Sequence, residues 1–461
     1  MKPFLLLLNC GLLFEAVGAA AQTPAHRLLP PARAAEKVAV VKSLLRSGPM
    51  VGYAEMREVA LWVQTTAPAT AHIEYWLPAA PQTRWRTAAA PTSSAHGCTA
   101  HLIADKVEPG QHYRYALYLN GQSVPRPYPL EFQTLALWQW RTAPPNFTFA
   151  LGSCTYVNEP AYDRPGRSYG GEYDIFTSIE AKKPDFMLWL GDNSYLREPD
   201  WNSRTGIYQR YSHSRAVPEM QPLLARAHNY AIWDDHDYGP NDSDRSFWNK
   251  HTTLAAFQDF WANPHYGQPD GQGIAGAFQW ADVQFFLLDD RWFRSPDNAH
   301  PETGSYLGDS QLQWLLEALG NSPAAFKIVV VGGQVLNPAQ VFENYSNYAQ
   351  ERTQLLQELA GRHISGVLFL SGDRHFTELT KLDRPGTYPL YDLTCSPLTS
   401  SAAPAPTEAN TGRVPGTYTP ERNFATIAVR GPANQRELKM TVFDHAGKSL
   451  WERTIAAAEL K

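Results

Sequence analysis

Six apolar runs in this chain each break off on polar residues suited to a metal or a phosphate, and that pattern constrains the fold most. FTFALGSC ends at Cys154, DFMLWLGDNSY delivers Asp192 and Tyr195, and NYAIWDDHDYGPND delivers Asp234, Asp235, His236 and Asn241. VQFFLLDDRWFR brings Asp290, Arg291 and Arg294, KIVVVGGQVLN brings Gln334 and Asn337, and GVLFLSGDRHFTEL brings Asp373 and His375. Short continuous apolar runs suit strands buried on both faces. Helix-spaced stretches lie among them, including PEMQPLLARAH, TLAAFQDFWAN, DSQLQWLLEALG and RTQLLQELAGR. This mixture is that of an α/β domain around a buried sheet. Ligand sites in such folds form at the carboxyl ends of strands. Six ends bearing oxygen, nitrogen and sulfur donors therefore point to a metallohydrolase.

The segments differ in how much they say. In GDNSY a carboxylate follows a strand on a glycine turn, so Asp192 is placed to bridge two cations. Tyr195 would add a phenolate to a hard trivalent metal; a capping Asp beside a packed Tyr explains the same residues equally well. In GDRH, Asp373 and His375 are two apart, and on extended chain they share a face. WDDHDYGPND is the most specific, because consecutive ionisable residues at a strand end repel unless a cation offsets them. Asn241 offers a neutral carbonyl oxygen for a second metal. A lone cysteine is usually core, but the company of Cys154 favours a metal thiolate. Arg291 and Arg294 carry guanidinium forks that match phosphate oxygens, salt bridges being the alternative. Asp235, His236 and Arg291 form the expected catalytic set, with His236 a proton donor or an orienting group. Gln334 and Asn337 would orient water or supporting side chains.

The 461 residues exceed one ordinary domain. MKPFLLLLNCGLLFEAVGAAA reads as a secretory signal peptide over 1–21, with an apolar run too short to span a bilayer. Residues 22–48 read as a Pro/Ala-rich leader and a short helix, AEKVAVVKSLLRSG, ending at Gly48. Alternating apolar spacing with EPG and NG turns then predicts a small antiparallel β-sandwich over 49–140. The catalytic domain takes 141–461, with a long Pro/Ala/Thr loop near 400–420 and three closing strands. Cys98, Cys154 and Cys395 would remain after signal cleavage, an odd number that suggests a free or metal-bound thiol. Cys98 and Cys395 could pair, though buried thiols are favoured. Net charge is −5 with no dense basic block, which argues against a general nucleic-acid binder.

Taken in order, GPMVGYAEMREVALWVQT, GSC, LGDNSY, WDDHDYGPND, LLDDRWFR, SGDRH and LTCSPLTS resemble the alkaline phosphatase D (PhoD-like) family of metallophosphatases. The likeness runs from about residue 48 to 400. It implies a β-sandwich followed by an αββα metallophosphoesterase domain with Fe3+ and Ca2+. Cys154, Asp192, Tyr195 and His375 would surround the iron; Asp192, Asn241 and Asp373 would serve the calcium. Members often carry Glu where Asp237 stands and a smaller residue where Arg374 stands. Many are exported through a twin-arginine signal, whereas no arginine precedes Arg27 here, which suits Sec-type export to the periplasm or beyond.

The expected activity is hydrolysis of phosphomonoesters or phosphodiesters by attack of a metal-activated oxygen on phosphorus. The expected partner is a small-molecule phosphate ester, with no obligate nucleic acid, no stable membrane span and a monomeric chain. A purple-acid-phosphatase site would need GNH and GHxH segments, and neither occurs. The remaining alternatives are a non-catalytic secreted binding protein with a degenerate domain, or a phospholipase or nuclease using the same site.

Overall fold

The apolar runs become six strands, three in each of two sheets. The computed structural model describes residues 43–297, 303–403 and 408–461. In the first sheet Phe147–Gly152, Phe186–Leu190 and His228–Ile232 run parallel and adjacent. In the second, Val283–Leu287, Phe326–Val330 and Val367–Ser371 do the same. Residues alternate across each strand. Phe149, Phe186 and Tyr230 point inward and meet Phe278 and Phe285 of the other sheet; the Tyr230 and Phe278 rings stack at 3.7 Å. The neighbouring positions point outward and are covered by helices. Trp189 packs on Phe176 of helix Ile175–Ala181, and Phe286 on Trp314 of helix Asp309–Asn321. The layers are thus helix, sheet, sheet, helix.

Both sheets extend beyond their parallel centres. The closing strands Asn423–Arg430, Glu437–Asp444 and Ser449–Ala456 add in sequence to the Phe147–Gly152 edge of a nine-stranded sheet. On its other side, His228–Ile232 pairs in parallel with Leu45–Ala54, followed by Val59–Thr65 and Thr99–Ala104. The β-rich N-terminal region therefore contributes three strands to the catalytic sheet. A separate small sheet is built on Thr70–Trp76 and His112–Leu119. His228 ties the two regions together: its Nδ1 lies 2.7 Å from the Gly52 carbonyl, and its Nε2 accepts from the Gln133 amide at 3.3 Å.

One expectation is corrected. The end of the helix expected over 35–48 is strand, because Leu45–Ala54 pairs with Val59–Thr65, Leu45 lying opposite Thr65. Sheet pairing on both sides of this segment overrides its helical spacing. The rest of that helix, the signal peptide and Cys10 lie outside the described residues.

Candidate metal centre

The two sets of strand ends meet closely, and glycines permit it. A Cβ on Gly372 would lie 2.7 Å from that of Ser153, so the turn before Asp373 rests directly on the turn before Cys154. A Cβ on Gly191 would lie 2.7 Å from that of Asp234. Cys154, Asp192, Asp242, Asp373 and His375 all take left-handed backbone, with φ between 53° and 64°. Non-glycine residues seldom adopt that region, and their clustering here marks a site where geometry outranks local comfort.

One potential ligand set joins the two sheets. Cys154, Asp192 and His375 place one donor atom each within 4.8 Å of one another. The Tyr195 hydroxyl donates to Asp192 Oδ2 at 3.0 Å and stands 3.4 Å from His375 Nε2. His375 Nδ1 lies 2.7 Å from the Ser401 carbonyl, which can only accept. The proton therefore sits on Nδ1, and the Nε2 lone pair faces the cluster. Ser396 Oγ donates to the Cys154 sulfur at 3.0 Å, and the His375 amide donates to Ser396 Oγ at the same distance. Cys98, Cys154 and Cys395 are all free thiols.

Asp192 also belongs to a second set, with Asp235 and His236, whose donor atoms again lie within 4.8 Å. Asn241 and Asp373 line the same cavity, about 640 Å³ in volume. Burial raises the pKa of Asp192 well above the usual range, and Asp235 and Cys154 raise it further. Burial also pushes the Cys154 thiol up to about 12. Burial would raise Asp235 too, but His236 and Arg291 hold it at about 2. Among the described residues no Arg or Lys comes within ion-pair distance of Asp192 or Asp235; His236 lies 3.9 Å from Asp235. A buried donor set of this composition fits metal cations: thiolate, phenolate and imidazole suit a transition metal, carboxylate and amide oxygens a hard cation.

The acidic cluster beside it is satisfied differently. Arg291 is fully buried; its Nε donates to Asp234 Oδ1 at 2.7 Å and its Nη2 to Glu343 Oε2 at 3.0 Å. Arg294, also fully buried, pairs with Glu343 and Asp297. Asp290 accepts from the Tyr306 hydroxyl at 2.9 Å. The expectation that Arg291 reaches substrate is therefore corrected: the guanidinium is consumed by buried acids and does not line the cavity. The arginine that does is Arg374, within GDRH itself. Its Nη1 donates to Gln334 Oε1 at 2.8 Å and to Asn344 Oδ1 at 3.1 Å, and Asn337 holds Gln334 in turn at 2.8 Å. Its guanidinium sits 4.6 Å from the centre of the Phe342 ring.

Sequence reasoning passed over Tyr169, Glu343 and Glu408, which also line the cavity. The Tyr169 hydroxyl lies 3.1 Å from His375 Nδ1. All three sit in loops distant from the strand ends, where no apolar run announces them.

A family model described as PhoD-like phosphatase matches residues 149–454. The chain belongs to the PhoD-like phosphatase family. A second model, described as a domain of unknown function (DUF7800), matches residues 42–136 of this PhoD-like chain. No curated relative matches by sequence. Among solved structures, one described as PhoD aligns at 16% identity over 88% of this chain and 91% of that one, with a TM-score of 0.71. A purple acid phosphatase, PPD1, from yellow lupin (Lupinus luteus) seeds aligns at 10% identity over 88% of this chain and 74% of that one, with a TM-score of 0.65. At such identities the likeness is one of fold. Family and fold together fit a metal-using phosphoester hydrolase. No helix among the described residues is long and apolar enough to cross a membrane.

Proposed function

We propose that this chain is a secreted metallophosphoesterase that hydrolyses small phosphomonoesters or phosphodiesters. The observation that carries this reading is buried Asp192, shared by two donor sets and without an arginine or lysine partner among the described residues. Cys154, Asp192, Tyr195 and His375 would hold an Fe3+ ion. Asp192, Asn241 and Asp373 would hold Ca2+, and Asp235 is close enough to contribute. Bound cations would polarise the phosphoryl oxygens and lower the pKa of an attacking water.

The protein's own groups supply the rest. Arg374, braced by Gln334 and Asn344 and paired with Glu408, would turn its remaining N–H groups to the phosphoryl oxygens where charge grows in the transition state. His236 lines the cavity with its ring 4.2 Å from that of Tyr195, and would pass a proton to the departing oxygen. The apolar run of residues 4–13 supports export to the periplasm or beyond. The test is metal analysis of the purified protein, with hydrolysis of a monoester and a diester before and after chelation. Activity lost with the metal and restored by Ca2+ supports the reading. Unchanged rates after confirmed metal loss refute it.

A further inference from the structure

A second cleft opens beside the metal cavity and shares Tyr169, His236 and Asn241 with it. Its volume is about 320 Å³. The walls are aromatic: Tyr156, Tyr162, Tyr195 and Trp201 join Tyr169. The Tyr156 ring lies edge-on to Tyr169 at 4.8 Å and tilted to Tyr195 at 5.0 Å, so the aromatic surface runs without a break toward the cluster. Tyr162 is 50% exposed, an open face for a planar group. The Trp201 indole nitrogen is buried with no hydrogen-bond acceptor.

The charge of this cleft is opposite to that of the cavity. The cavity is lined by Asp192, Asp235, Asp242, Glu343, Asp373 and Glu408 against Arg374. The cleft has Arg164, Arg167 and Arg197 against Asp163 and Glu198. Arg197 is committed to Asp163 at 2.6 Å and to the Val157 carbonyl at 2.8 Å. Arg164 and Arg167 are exposed and form no ion pair among the described residues.

We propose that this cleft seats the leaving-group half of the substrate and selects an aromatic group bearing a negative charge of its own. The proposal rests on the phosphoester reading of the adjacent centre. With phosphorus at the metal cluster, the ester oxygen faces the His236 side that both spaces share. A flat leaving group then stacks on Tyr162 and Tyr169, and a distal anion reaches Arg164 and Arg167. In hydrolysis the bond from phosphorus to the aryl oxygen breaks and one from phosphorus to the water oxygen forms. The two protons of water end on the aryl oxygen and the phosphate.

The test compares binding of three non-hydrolysable phosphonates to the purified protein by calorimetry: 4-carboxyphenyl, phenyl and methyl. Phenyl should bind about tenfold tighter than methyl, the scale of one aromatic stack. The carboxyl group should add up to about fivefold, the scale of exposed ion pairs. Arg164→Ala with Arg167→Ala should erase the carboxyl gain, and Tyr162→Ala should narrow the phenyl gain. Hydrolysis of phenyl phosphate and glycerol 2-phosphate is measured alongside. Equal affinities for the three phosphonates, or gaps that survive the substitutions, overturn the proposal, and with both esters cleaved they leave the phosphoesterase reading intact. The predicted ranking in a protein that cleaves neither ester keeps the cleft assignment and removes the phosphoesterase reading instead.

Discussion

Replacing Arg291 with alanine should destabilise the fold before it touches catalysis. The guanidinium donates to Asp234, Glu343 and the Ser243 carbonyl, has Asp290 at 3.8 Å, and is shielded from water. Its removal leaves three acids buried together, with Arg294 their remaining close cation. Breaking one partner out of a buried ion pair costs about 3 to 5 kcal/mol. Burial raises the pKa of Glu343 against the pull of both arginines, so it takes up a proton more readily once Arg291 is gone and part of the charge is relieved. The lower end, about 3 kcal/mol, is therefore expected. A melting entropy of about 2 cal/mol/K per residue over a chain of this length makes that a fall of roughly 3 °C in Tm. Arg291→Ala combined with Asp234→Asn should recover part of the loss, because the two residues are coupled. Thermal melts of the single and double variants give the answer. An unchanged Tm with kcat/KM reduced by orders of magnitude would put Arg291 on the substrate and refute the buried-network assignment.

Asp192→Asn should lose metal from both donor sets and nearly all activity, read by elemental analysis with kinetics; retained metal and rate would show that another residue bridges. Arg374→Ala should keep its metal while kcat/KM falls by about two to three orders of magnitude, the scale of a lost oxyanion donor; full activity would free Arg374 from any phosphate role. Burial holds His228 neutral, its pKa lowered to about 4, while the unfolded chain takes up a proton near the ordinary value of about 6.5. The stability it confers is complete above that higher value and is lost as pH falls toward 4, about 3 kcal/mol in all. The stability gap between wild type and His228→Gln in urea melts should shrink across that window, and a constant gap would contradict the assignment.

The sequence revealed strand ends better than it revealed what neutralises them. Cys154, Asp192, Tyr195 and His375 stand out as candidates because each follows an apolar run or its first turn, strand ends have a fixed place in α/β folds, and the fold brings the four together. Arg291 has the same sequence signature yet faces the interior. Direction after a strand depends on the turn, and the residues that claim Arg291, Asp234 and Glu343, lie far from it in sequence. Arg374 stands between an acid and an imidazole in GDRH, and nothing in that segment says which of the three side chains turns to the cavity. The N-terminal strands were legible as β by their alternation. Their pairing with His228–Ile232 was not, since main-chain pairing of Val51 with His228 leaves no pattern in either segment.

That pairing has a consequence for synthesis. Leu45–Ala54 finds Val59–Thr65 early, but its other edge stays open until His228–Ile232 has been made. Phe147–Gly152 waits longer still, since Asn423–Arg430 lies far downstream of it. A nascent chain therefore carries bare strand edges until those distant strands emerge, and such edges invite pairing with other chains. Arrest between His375 and Asn423 should yield the most aggregation-prone fragments, with every strand of the metal site made and the Phe147–Gly152 edge still bare.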